Sequence, residues 1–159
     1  MSTKIMVATD GGAPATRAVE VAVDLARSLG AELGVLHVVD ESRAFVPDLA
    51  VVDEVIMADL RREGLAALDR AYASVPSTVK VKRFLVDGDP AEIIIATAER
   101  WGAGLIVIGN DSRGRLAHFL LGSTADSVIR KAPCPVVSVR AVYSPADANA
   151  QTTGVATAQ

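Results

Sequence analysis

Cysteine, histidine and aromatic residues are all scarce in this chain, with one cysteine, two histidines and 4% Phe, Trp and Tyr. A single cysteine, Cys134, excludes an internal disulfide and fits a reducing compartment, so the expected location is the cytoplasm. Set between Pro133 and Pro135 at the mouth of a strand, it reads as a small packing residue rather than a nucleophile. His37, His118 and Cys134 are too scattered to form a zinc site, and no Ser/His/Asp series has the spacing of a hydrolase triad. No run approaches the roughly 18 apolar residues a bilayer requires, so no membrane span is expected. From Met1 the chain runs directly into a strand, without the apolar core and small-residue cleavage site of a signal peptide. Nor is there a basic stripe for nucleic acid, because the net charge is -3 and Lys and Arg are thinly spread. Arg61 and Arg62, beside Glu63, fall in a helical pattern and read as a solvated face. Asn110-Asp111-Ser112 matches a glycosylation sequon, which has no meaning in a cytosolic protein.

What the chain does contain is Ala, Val, Leu and Ile, which dominate a 50% hydrophobic composition. That mixture suits helices packed on a buried parallel sheet better than a β-sandwich. At 159 residues, one domain with its own core is expected over 1–143. Ser144 to Gln159 is small, polar and almost uncharged, and is expected to be a disordered tail.

Strand and helix patterns alternate along the chain. Lys4 to Ala8 reads as a strand. Pro14 then opens a helix with an apolar stripe of Ala18, Val21, Ala22, Leu25 and Leu29, stopped by Gly30. A second strand covers Glu32 to Val39, followed by an irregular connection from Asp40 to Leu49. A long helix is expected from about Ala50 to Ser74, burying Ile56, Leu60, Leu68 and Ala71, with close packing at Gly64. Val79 to Val86 is the third strand. Asp89-Pro90-Ala91-Glu92 has the cap, proline and third-position glutamate of a helix start, and that helix ends by Gly102. Gly104 to Ile108 forms the fourth strand, Thr124 to Lys131 a short helix, and Pro135 to Arg140 the fifth strand. Five strands joined by helical crossovers predict an α/β fold with helices on both faces of an open parallel sheet.

Ligands in such sheets bind beyond the carboxyl ends of strands where the winding reverses. Two loops carry suitable chemistry: Thr9-Asp10-Gly11-Gly12, and the glycine-rich stretch from Gly109 to Gly122-Ser123-Thr124. Small residues let a ligand approach the backbone, and amides opening the next helix suit phosphate. Gly109-x4-Gly114 has P-loop glycine spacing, but Arg115 and Leu116 replace the lysine and hydroxyl that a P-loop needs. A Gly-x-Gly-x-x-Gly fingerprint is absent after the first strand, and so is the Ser-Gly-Gly-x-Asp-Ser loop of ATP pyrophosphatases.

The segments Ile5-Met6-Val7-Ala8-Thr9-Asp10-Gly11, Leu36-His37-Val38, Gly88-Asp89-Pro90, Leu121-Gly122-Ser123 and Ala132-Pro133-Cys134-Pro135-Val136 together resemble the universal stress protein family. The resemblance covers Ile5 to Val139. It implies an adenine nucleotide alpha hydrolase-like fold with strand order 3-2-1-4-5, which makes the first and fourth strands neighbours. The nucleotide-binding branch carries Gly-x2-Gly-x9-Gly-(Ser/Thr). Gly109, Gly122 and Ser123 match it, while Ser112 replaces the middle glycine. If that residue is left-handed, a side chain costs roughly 1–2 kcal/mol.

By the same resemblance, Asp10 holds the ribose beside the Ala8 and Thr9 backbone, and Val38 meets the adenine edge. Ile108 and Gly109 form the floor, and Ser112, Arg113, Gly122, Ser123 and Thr124 gather the phosphates. Read without the family, Asp10 is an Asp-Gly turn residue, Ser123 a helix cap, His37 a structural histidine and His118 a solvated one. The implied function is a cytoplasmic stress-response module that binds ATP or AMP, with or without magnesium, and signals to a protein partner. A homodimer through Val136 to Arg140 is implied as well. The alternatives are a nucleotide-independent dimeric interaction protein of the same fold and a slow ATPase; no catalytic residue is expected.

Overall fold

The computed structural model describes residues 3–110 and 122–141. Its sheet has five parallel strands, here numbered in chain order: β1 (Lys4–Ala8), β2 (Glu32–Asp40), β3 (Val81–Gly88), β4 (Leu105–Asn110) and β5 (Val136–Arg140). In space they run β3, β2, β1, β4, β5. The winding therefore reverses between β1 and β4, as the family order implies.

Helices α1 (Ala13–Leu29) and α2 (Glu54–Ala73) cover one face, and α3 (Pro90–Trp101) and α4 (Ser123–Lys131) the other. Alternate residues of β1 divide between the two cores. Ile5 and Val7 pack with Ala18, Ala22 and Leu68, and Met6 packs with Ile94, Ala98 and Val128.

The buried stripe of α1 is Ala15, Ala18, Val19, Ala22, Val23 and Ala26. This corrects the expected stripe: Val21 and Leu25 lie at its margin, and Leu29 is exposed. Small residues in the middle of the stripe bring the α1 backbone against the sheet. Gly30, left-handed at φ 60°, ends the helix and donates its N–H to the Ala26 carbonyl.

Between β2 and α2, the expected irregular connection contains short regular pieces. A 3-10 turn (Glu41–Ala44) leads into an antiparallel ribbon that pairs Phe45–Val46 with Val51–Val52. The α2 helix starts at Glu54 rather than Ala50, because the Asp53 carboxylate caps it by accepting from the Val55 and Ile56 amides. Ile56 is exposed, not buried. Met57 and Leu60 take the packing there, against Val39 and Ala44, because the first turns of α2 lie beside the end of β2. Further along, Gly64 is buried where a Cβ would come 2.5 Å from His37 Cδ2, which accounts for the glycine.

The third strand begins two residues later than its hydrophobic run, since Val79 closes a turn onto the Pro76 carbonyl. Asp89 caps α3 by accepting from the Glu92 amide, with Pro90 as its first residue.

Candidate functional site

A cleft of about 630 Å³ opens at the carboxyl end of the sheet, over β1, β2 and β4. Of the residues singled out in the sequence, Ala8, Thr9, Asp10, Val38, Ile108, Gly109, Gly122, Ser123 and Thr124 all line it. Ser112, Arg113 and His118 lie outside the described residues, as does the tail from Ser144.

The turn after β1 is held by its own side chains. Thr9 is buried; its amide donates to the Leu36 carbonyl at 2.9 Å, and its hydroxyl accepts from the Gly11 amide at 3.1 Å. The Thr9 carbonyl lies 2.8 Å from His37 Nδ1, so His37 has the structural role expected of it. One Asp10 oxygen accepts from the Gly12 amide at 2.8 Å. The Asp-Gly turn is therefore present, and the second Asp10 oxygen has no hydrogen-bond partner among the described residues.

Gly109 is the next-to-last residue of β4, paired with Val139 of β5, and the α1 backbone at Pro14 and Ala15 closes over it. Across the cleft, Gly122 is the N-cap of α4. Ser123 is thus the first helical residue, which corrects the cap role, and no side chain among the described residues caps this helix. Asp126 makes the first backbone bond, to the Gly122 carbonyl. The amides of Ser123, Thr124 and Ala125 precede it and have no intrahelical acceptor. They carry the positive end of the helix dipole, which favours an anion.

Asp40, Arg43, Leu60 and Glu63 form a wall of the cleft that the sequence reading did not assign. The 3-10 turn folds Arg43 back toward Glu63 of α2, at 3.7 Å. The Met57, Leu60 and Glu63 spacing of α2 was the available signal, since it places an acidic residue one turn past a buried pair. Nearby, Arg61 ties α2 to β3 through Asp87 at 2.6 Å, and that hydrogen bond raises the guanidinium pKa further. Among the described residues no cluster of three His, Cys, Asp or Glu could hold a metal ion, and no helix is long and apolar enough to cross a membrane. Cys134 packs against the α3 and α4 side of the sheet, and burial pushes its thiol pKa up, away from nucleophilic use.

A sequence model described as the universal stress protein family matches residues 1–140. The chain belongs to the universal stress protein family. Its relatives include the universal stress protein YxiE of Bacillus subtilis, 32% identical over 88% of this chain and 100% of YxiE. Among solved structures, the universal stress protein UspA from Lactobacillus plantarum is 29% identical at a TM-score of 0.68, covering 87% of this chain and 97% of that one. A universal stress protein in complex with cAMP superimposes at a TM-score of 0.63, is 26% identical, and covers 89% and 98% of the two chains.

Proposed function

We propose that the cleft binds an adenine nucleotide, ATP or AMP, and that this universal stress protein is a cytoplasmic nucleotide-responsive module of the stress response. One observation carries the reading: a helix N-terminus that no described side chain caps, and a carboxylate with one oxygen unpartnered among the described residues, line one cleft. Phosphate oxygens accept from the Ser123 and Thr124 amides, replacing water at donors the helix leaves unused. Asp10 accepts from the ribose hydroxyls with its second oxygen while the first keeps the turn closed. The Val38 backbone meets the adenine edge, Ala8, Thr9, Ile108 and Gly109 line the pocket, and Ser112 and Arg113 add donors to the phosphates. That a family relative is in complex with cAMP supports an adenylate in this cleft.

The carboxylates of Asp10, Asp40 and Glu63 do not form a metal-binding group. A magnesium ion arriving with ATP would be held by phosphate oxygens and water. A bound nucleotide shifts the protein only by its differential affinity for two states, so the response requires that the cleft and a partner surface share structure.

Isothermal titration of the full chain with ATP, AMP and cyclic AMP tests the reading. Binding of at least one, weakened about tenfold by Asp10→Ala, is expected. No heat and no thermal shift at millimolar nucleotide would overturn it. The competing reading, a nucleotide-independent interaction protein, draws on Ser112 in place of glycine; a binding defect repaired by Ser112→Gly would favour it.

The domain is taken as 1–143. Dimerisation through β5 fits its place at the sheet edge, where among the described residues Val136 to Arg140 has only β4 beside it. Sedimentation of the full chain should give a dimer; a monomer alone would exclude this pairing.

A further inference from the structure

Ten large apolar side chains are exposed among the described residues, and six of them fall between Phe45 and Ile56. They belong to one short stretch of chain, the ribbon and the first turn of α2. Phe45 and Val52 are directly opposed across the ribbon, Leu49 and Val51 make its tip, and Val55 and Ile56 continue it on the first turn of α2. Leu49 is 70% and Val55 73% exposed, so these side chains are not the edge of a core. The core beneath them is Val39, Ala44, Met57 and Leu60. The Asp53 amide fastens the ribbon back to the Ala44 carbonyl at 2.8 Å. A concentrated apolar surface on an ordered frame is an interaction site rather than an accident of composition.

Charge decides what it receives. Residues 40–59 hold six acidic side chains and one basic, Arg43. Glu54 lies near Arg61, Asp59 pairs with Arg62, and Arg43 pairs with Glu63. Asp40, Glu41, Asp48 and Asp53 have no ion pair among the described residues, and they are interleaved along the chain with the exposed apolar residues. A second copy of the same surface would bring these acids face to face, and an anionic lipid surface would be repelled. The complement is an apolar stripe with cations on its flanks.

We propose that the ribbon and the first turn of α2 dock an amphipathic helix of another protein, with lysine or arginine beside its apolar stripe. Leu60 belongs both to the core under this surface and to the cleft wall, and Asp40 and Arg43 begin at the cleft and lead into the ribbon. Docking there does not require an occupant in the cleft, so it is tested without nucleotide.

The probe is a labelled synthetic amphipathic helix of leucine and lysine, titrated into the full chain and followed by fluorescence anisotropy. Its counterpart carries glutamate at every lysine. Saturable binding of the lysine peptide is expected, at least about tenfold tighter than the glutamate peptide and weakened by salt. Phe45→Ser with Leu49→Ser should lower affinity by about tenfold or more while nucleotide titration stays unchanged. Glu41→Lys with Asp48→Lys should lower it severalfold without touching an apolar residue. All four side chains are exposed, and circular dichroism checks that both variants fold. Equal binding of the two peptides, or no loss in either variant, would overturn the proposal. So would self-association, or binding to anionic phosphatidylglycerol vesicles, that the Phe45 and Leu49 substitutions abolish, since a second copy or a membrane would then be the occupant.

Discussion

At Gly109, near the end of β4, an added Cβ would come 2.6 Å from the Pro14 carbonyl carbon and 2.7 Å from the Ala15 nitrogen. At Gly122, in front of α4, it would meet nothing within 4 Å among the described residues. Both glycines belong to the same family motif, and neither has a positive φ. Gly109 is therefore explained by the chain itself: α1 crosses β4 so closely that only a hydrogen fits between them. Gly122 has no such explanation in the described residues. Under the proposed function that position lies where phosphate would meet the α4 amides, so one motif would join a packing requirement to a binding requirement.

Gly109→Ala should produce the larger effect. Its clash is with backbone atoms of α1, which cannot rotate aside as a side chain would. The overpacking should cost about 3 kcal/mol, and for a chain of this size a loss of roughly 6–12 °C in Tm. Calorimetric melting of the nucleotide-free protein measures it. A melting point within a degree of the parent would mean that α1 shifts freely, and the contrast with Gly122 would disappear.

The sequence made the same two glycines visible without telling them apart. Spacing and family resemblance named both, but the role of Gly109 depends on Pro14, which only the order β2-β1-β4 brings across it. Elements with their own chemical punctuation were legible in advance, such as α3 with its Asp89-Pro90 start and α1 with its Gly30 stop. Close packing at Gly64 was also legible, from the penalty a glycine carries inside a helix. Its neighbours His37 and Leu85 come from two different strands and were not. The ribbon escaped because two-residue strands are too short to show a period. Ile56 was misplaced because apolar spacing marks one face of a helix but not how far the helix runs past the sheet. Missing the ribbon meant missing the cleft wall built on it, where Asp40, Arg43 and Glu63 meet. All nine described site residues nevertheless converge on one cleft, because the strand ends that carry them are adjacent in the sheet.

Gly122→Asp sharpens the comparison with the smallest change in stability and the opposite sign. The position is a helix N-cap without a capping side chain, and aspartate is among the best residues there. Its carboxylate would accept from an unused amide and oppose the helix dipole, so the nucleotide-free protein should gain about 0.5 kcal/mol, or roughly 1–2 °C in Tm. The same carboxylate would occupy the donors proposed for phosphate and repel its charge. Affinity for AMP and ATP should fall by at least about tenfold, more for ATP, while adenosine, which has no phosphate, is much less affected. Thermal melting with and without each ligand reads both effects on one sample. A variant more stable than the parent and blind to phosphate separates the two glycines by function. One that binds ATP as the parent does would show that the helix amides hold nothing, and Gly122 would join the positions for which the chain gives no reason.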